Sequence, residues 1–190
     1  GTCNLDRGEE VIRDEAVKLF YKKGFPETSM REIAEAAGVG KSTLYDYFQT
    51  KDEILISYFV NEIETLTAMV ADVFERDIPA YDELHLIMQN HLSYMLENKN
   101  FYLKLTIEAQ RLNMESQTLL QKYRHVYQDM ICRLVEDGIR EGAFRKVDSM
   151  LAMRLILASL TPVVFTTRPS GTPQDMMKES IDIILNGISA

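Results

Sequence analysis

Thr28-Ser-Met-Arg-Glu-Ile-Ala-Glu-Ala-Ala-Gly-Val-Gly-Lys-Ser-Thr-Leu-Tyr-Asp-Tyr-Phe-Gln-Thr-Lys-Asp-Glu-Ile-Leu55 is the stretch that decides the fold. Ser29 and Glu32 stand three apart, the spacing of a capping box that starts a helix. Ile33, Ala34 and Ala37 then share one side of a short helix, which stops at Gly38, a residue free to take the left-handed conformation that ends helices. Beyond Val39-Gly40 a second short helix spans about Lys41 to Phe48. Gln49 interrupts it, and Thr50 with Glu53 repeats the capping-box spacing. Two short helices joined by a tight, Gly-containing turn make a helix-turn-helix. Ala34 and Ala37 are small enough for close approach, and Ile33, Val39, Leu44 and Phe48 form the wedge that meets Leu19 and Phe20.

Working outward, helical periodicity continues in both directions. Upstream, a helix over about Asp6 to Lys23 is expected, capped by Asp6 with Glu9 three residues on, and ended by Gly24-Phe25-Pro26. Downstream, helices are expected over about Lys51–Arg76, Pro79–Glu97, Lys99–Leu112 and Glu115–Glu141. Asp148 caps an apolar helix to about Thr166, and Thr172 caps a last one with Pro173 at its first position, where proline is tolerated. Strand signals are nearly absent. The expectation is an all-α chain of about nine helices. Residues 1–50 hold the helix-turn-helix among short, punctuated helices, and residues 51–190 hold long amphipathic ones.

The outward residues of the second short helix suit nucleic acid. Lys41 offers a charge to phosphate or a donor to guanine. Ser42 and Thr43 can bond base edges or phosphates, and Tyr45 and Tyr47 present hydroxyls to phosphates. Thr28 and Ser29 stand where free backbone N–H groups and the helix dipole favour an anion. Gly40 opens the second helix, and Lys51 adds a further positive contact. Asp46 either accepts from a cytosine amine or points away to pair with a neighbouring base; the second is preferred.

With these residues in place, the stretch resembles the DNA-binding signature of TetR/AcrR-type transcriptional regulators over about residues 6–55. The Ile33-Ala34-x-x-Ala37-Gly38-Val39 run, the Leu44-Tyr45-x-Tyr47-Phe48 run and Lys51 carry the resemblance. Ser42, Tyr47 and Gly40 depart from residues common there (Gly, His and Ser), so base preference does not carry over. The resemblance implies a three-helix DNA-binding domain with the helix-turn-helix in residues 1–50, a larger helical ligand-binding and dimerisation domain in residues 51–190, and a homodimer on a palindromic double-stranded operator. It also implies a small-molecule effector that releases the protein from DNA, most simply as a repressor.

The resemblance further implies that some apolar and aromatic residues of the middle helices line an effector pocket: Tyr58, Phe59, Met69, Met88, His91, Met95, Tyr102 and Met114. Plain core is the alternative for each. Leu151, Leu155 and Ile156 lie on a helix apolar nearly all round, and Met177, Ile181, Ile184 and Ile188 on the last helix. Such helices need cover on several sides, and a partner subunit supplies it; burial within one protomer is the alternative.

Other chemistries find little support. Gly40-Lys-Ser-Thr43 ends like a phosphate-binding loop, but the required upstream glycine position is Glu35, inside a helix. His85, His91 and His125 show no metal-ligand spacing, and Cys3 and Cys132 no metal or redox motif, so neither metal nor cofactor is expected. An all-helical enzyme would need a catalytic constellation, and none is visible; a helical protein–protein adaptor using the C-terminal helices is the other alternative. No run of about 18 apolar residues suggests a membrane span, and no signal-peptide pattern opens the chain, so a cytoplasmic protein is expected.

Charge at first argues against DNA: 190 residues carry 21 Lys plus Arg and 29 Asp plus Glu, a net of −8. The distribution modifies this. Residues 1–51 hold 8 basic and 9 acidic residues, and residues 52–190 hold 13 and 20. The acidity belongs mainly to the second domain. DNA affinity is therefore expected to rest on a few placed contacts.

Overall fold

The computed structural model describes residues 2–190, with side chains from Arg7 onward. Nine helices are found among them: α1 (Thr2–Lys23), α2 (Met30–Ala37), α3 (Lys41–Tyr47), α4 (Lys51–Phe74), α5 (Ala80–Glu97), α6 (Lys99–Ala109), α7 (Met114–Arg140), α8 (Ser149–Phe165) and α9 (Pro173–Ile188). No strand occurs among the described residues; an isolated bridge joins Phe144 and Ser189. The all-α expectation holds.

Capping explains most boundaries. Ser29, Asp148 and Thr172 each accept a backbone N–H from three residues on. The second capping box forms with a one-residue offset: Glu53 N donates to Thr50 Oγ1 at 3.2 Å, while the Glu53 carboxylate receives Gln49 N at 2.6 Å. In the first box, Glu32 turns away to Lys23 Nζ at 2.5 Å. That pairing, with a smaller one from Ser29, lowers its pKa.

Three expected ends shift. The α1 backbone is already helical at Thr2, which removes Asp6 as its start; the Asp6 side chain lies outside the described ones, as does that of Cys3. The fourth helix closes at Phe74, before Arg76, and Asp77 takes a left-handed φ of 49° just beyond. The sixth closes at Ala109 in tightened i→i−3 bonds, Arg111 N to Glu108 O and Leu112 N to Ala109 O. Asn113 Oδ1 then caps the seventh by accepting from Ser116 N at 2.9 Å.

Two compact units emerge, residues 1–62 with 100–121, and residues 63–99 with 122–190. The first groups α1–α3 with the start of α4, most of α6 and the start of α7. Its core is built from Ile12, Ala16, Phe20, Ile33, Leu44, Ile54, Leu55, Leu105 and Leu120, all essentially inaccessible. Each large apolar side chain among them contributes on the order of 1.5–3 kcal/mol. The second unit packs Leu84, Met88 and Leu92 of α5 with Ile131 and Val135 of α7, Met153, Ile156 and Leu160 of α8, and Ile181 and Leu185 of α9. Arg145 N donates to Ile188 O at 3.0 Å, tying the chain after α7 to the end of α9.

By length and composition α4 is apolar enough to cross a bilayer, where the sequence suggested no such helix. Glu62 and Glu64 stand in the middle of its apolar stretch, a position where carboxylates are costly in hydrocarbon.

Candidate nucleic-acid interface and effector crevice

Formation of the reading head follows from local chemistry. Gly24 ends the first helix at φ +103°. Thr28 then turns its hydroxyl back onto Gly24 O at 2.7 Å and is buried, and its N–H already donates to Phe25 O at 3.3 Å, so it holds the turn and has no free N–H for a phosphate. That corrects the expectation for Thr28. Ser29 remains exposed, although its oxygen already caps Glu32 N. Gly38 sits at φ +68°, with Gly38 N on Glu35 O at 3.2 Å and Val39 N on Ala34 O at 3.0 Å. This paired pattern satisfies the carbonyls left at the end of α2. Close contact between α2 and α3 follows, with Ile33, Leu44 and Phe48 buried.

The outer side of α3 carries Lys41, Ser42, Thr43 and Asp46, all exposed, and Tyr45, half-buried. Lys41 Nζ lies 6.0 Å from the centre of the Tyr45 ring. Among the described residues, neither Lys41 nor Asp46 forms an ion pair; the expected pairing of Asp46 with a neighbouring base is not found. Gly40 precedes the helix at an ordinary extended φ of −70° and leaves the N-terminus of α3 without a side-chain cap.

Two residues assigned to DNA carry internal contacts. The Tyr47 phenol lies against Gly8 of α1: a Cβ built at Gly8 would approach Tyr47 Cζ to 2.9 Å. Lys51 donates from Nζ to Phe25 O at 2.7 Å and Pro26 O at 3.4 Å, with the ammonium 4.6 Å from the Phe25 ring centre. It secures the chain between α1 and α2. Sequence spacing shows no sign of this, because 26 residues separate the partners. Lys104 of α6 does the same a turn earlier, donating to Tyr21 O at 2.6 Å over the Tyr21 ring, which stacks on Phe101 at 4.6 Å.

The residues proposed for a pocket do not converge. Met88 and Met95 are buried in the second unit's core, and Phe59 is buried in the first unit. Tyr58 packs edge-to-face on Phe59 at 5.3 Å, and burial raises its pKa, with Glu62 adding to the shift. Tyr102 and Met114 are exposed residues of the first unit, Met114 at 79%. Only Met69 and His91 meet, in a crevice of the second unit lined also by Leu66, Val70, Ile87, Asn90 and Tyr127. It is too tight for a water molecule. His91 Nδ1 and Tyr127 Oη are 2.6 Å apart. Burial holds the imidazole neutral, with a pKa of about 4, and raises the Tyr127 phenol. The sequence reading missed Asn90 and Tyr127.

At the C-terminal helices the proposed interface residues divide. Ile156 and Ile181 are buried within the protomer, at 2% and 1% exposure, and leave the candidate interface. Met177, Ile184 and Ile188 are partly buried against the same core. Leu151 and Leu155, one turn apart on α8, remain exposed at 51% and 62%, beside Met150. Ile183 of α9, which the sequence reading did not select, is 64% exposed. Among the described residues no cluster of His, Cys, Asp and Glu could hold a metal.

Comparison with known proteins adds to the geometry. Residues 12–58 match the family model for bacterial regulatory proteins of the tetR family, and residues 77–188 match a tetracyclin repressor-like C-terminal domain. The fatty acid metabolism regulator protein of Bacillus subtilis is 24% identical over 181 residues, covering 93% of each chain. The structure of a TetR family transcriptional regulator, PfmR from Thermus thermophilus, superposes with a TM-score of 0.75 at 29% identity, over 92% of this chain and 97% of that one. The structure of FadR from Bacillus subtilis in complex with stearoyl-CoA gives 0.80 at 22% identity, over 94% and 98%.

Proposed function

The chain belongs to the tetR family of bacterial regulatory proteins and is a ligand-responsive transcriptional regulator, and from that premise we propose that it represses as a homodimer on a palindromic operator in the cytoplasm. Residues 1–50 are the proposed reading head, and residues 51–190 the effector and dimerisation domain. The carrying observation is the outer side of α3, where Lys41, Ser42, Thr43 and Tyr45 lie on a helix whose apolar side is locked into α2. Ser29 and the uncapped N-terminus of α3 add phosphate contacts. Two such helices read successive major grooves, so half-sites lie about one helical turn or a modest multiple apart. Leu151, Leu155 and Ile183 are the proposed centre of the dimer contact, with Met177, Ile184 and Ile188 at its edge.

An acyl thioester of coenzyme A is the proposed effector. The relatives support this: one is named for fatty acid metabolism, and one solved neighbour holds stearoyl-CoA. Effector binding favours a conformer in which the two reading heads are wrongly spaced; release needs only differential affinity for the two conformers. Helix α4, which belongs to both units along the chain, is the proposed coupling element.

Selection from random-sequence DNA pools by gel shift tests the reading. Recovery of a palindrome is expected, and addition of an acyl-CoA should release it. Lys41→Ala should weaken binding to all sequences and lower the salt slope by about 1 per protomer. Failure to enrich any sequence would overturn the proposal.

A further inference from the structure

The crevice of the second unit contains an unusual combination. Its walls are Leu66, Met69 and Val70 from α4 and Ile87 from α5, yet Asn90, His91 and Tyr127 also face it. No charged side chain lines it. Phenylalanine and leucine would fill the same space without placing polar groups among apolar ones, which is costly unless those groups are bonded.

The hydrogen-bonding capacity is only partly used. His91 and Tyr127 hold two polar hydrogens between them, and their 2.6 Å contact uses one. With the ε tautomer, Tyr127 donates to Nδ1 and Nε2–H is left over. With the δ tautomer, Nδ1–H donates to the phenol oxygen and the phenol O–H is left over. One donor remains in either state. Among the described residues, the Asn90 carboxamide forms no hydrogen bond, which adds two donors and an acceptor on the same wall.

Resting on the ligand-responsive reading above, we propose that His91, Tyr127 and Asn90 form the recognition point for an uncharged carbonyl carried on an otherwise apolar ligand, and that this point rejects a carboxylate. A carboxylate buried here would meet no cation, because no Lys or Arg lines the crevice and burial keeps the imidazole neutral. A thioester carbonyl needs only donors, and the wall holds those in reserve. The acyl chain then runs along Leu66, Val70 and Ile87. Entry requires the wall to yield, and Met69, an unbranched side chain with three rotatable bonds, is the residue suited to move.

Three probes test this on the full-length protein by titration calorimetry: decanoyl-CoA, its S-decyl thioether analogue lacking the carbonyl, and decanoate. The wild type should bind decanoyl-CoA about five- to tenfold more tightly than the thioether, the worth of a neutral hydrogen bond, and decanoate least of all. Replacing all three polar residues together (Asn90→Leu, His91→Phe, Tyr127→Phe) should bring the thioester-to-thioether ratio to within about twofold of unity while thioether binding persists. Lost packing alone would weaken both CoA compounds together and leave the ratio unchanged, which would overturn the inference. Equal binding of the two by the wild type overturns it with no variant needed. No binding of either CoA compound removes the thioester reading of the effector and this inference with it.

Discussion

Lowering the pH from 7.5 to 5 should destabilise this protein through His91. The imidazole is half-buried beside a neutral phenol and among Leu66, Met69, Val70, Ile87 and Asn90; no carboxylate lines the crevice to favour its charged form. Burial lowers its pKa from an ordinary 6.5 to about 4. Protons then bind more readily to the unfolded chain, so stability rises with pH between these two values. The term vanishes above pH 6.5, grows as pH falls, and levels off below about 4. At about 1.4 kcal/mol per pKa unit its full size is about 3 kcal/mol, of which about 2 kcal/mol is lost by pH 5. His91→Gln removes the titration and keeps an acceptor for the Tyr127 hydroxyl. Urea unfolding of both proteins, followed by circular dichroism at one fixed concentration, isolates the term, since an oligomer's apparent stability depends on concentration. The wild-type advantage over His91→Gln should shrink by about 2 kcal/mol between pH 7.5 and 5. A difference that stays constant across this range would show that His91 is solvated or charge-paired, and would refute the reasoning.

Gly138→Ala places a Cβ into the buried Phe144 ring, and should cost about 1–3 kcal/mol in urea unfolding despite the better helix propensity of alanine. Gly38→Ala meets open space but keeps a φ of +68°, so about 1 kcal/mol of backbone strain should appear as a lower melting temperature of the first unit. Gly40→Ser supplies the side-chain cap that α3 lacks, and should add a few tenths of a kcal/mol in the same measurement. Leu155→Glu places a charge on the most exposed large apolar residue of α8; light scattering should then report a monomer with unchanged helicity, whereas a persistent dimer would remove Leu155 from the proposed interface.

How much was legible depends on whether a residue's role is local. The helix-turn-helix was readable because its signals act over three or four residues: Ser29 on Glu32 N, the left-handed Gly38, Thr50 on Glu53 N. Helix ends elsewhere followed the same rule, as at Asp148 and Thr172. Periodicity marks which positions are apolar but not what covers them. Leu155 and Ile156 are adjacent and equally apolar, yet one is 62% exposed and the other 2%. A helix turns about 100° per residue, so the tertiary arrangement alone separates them. His91 and Tyr127 meet across 36 residues, and no local pattern joins them.

The same distinction sharpens the electrostatics of DNA binding. Eight basic residues lie in positions 1–51, and most of them are already engaged inside the protein. Lys18, Lys23 and Arg31 pair with Glu15, Glu32 and Glu35, while Arg13 donates to Ser57 Oγ at 3.3 Å and Lys51 to backbone carbonyls. Among the described residues this leaves Arg7, Lys22 and Lys41 without such a partner, and of these Lys41 alone lies on the recognition helix. On the proposed reading, phosphate attraction through side-chain charge is small, and the helix N-termini at Ser29 and Gly40 are proposed to carry more of the positioning. A head with so weak a field should bind poorly to arbitrary DNA, which would raise the relative weight of the proposed base contacts from Lys41, Ser42 and Thr43. The acidic remainder of the chain acts in the same direction by repelling phosphate. Net charge, which at first spoke against DNA, thus fits a proposed reader that rejects non-operator DNA.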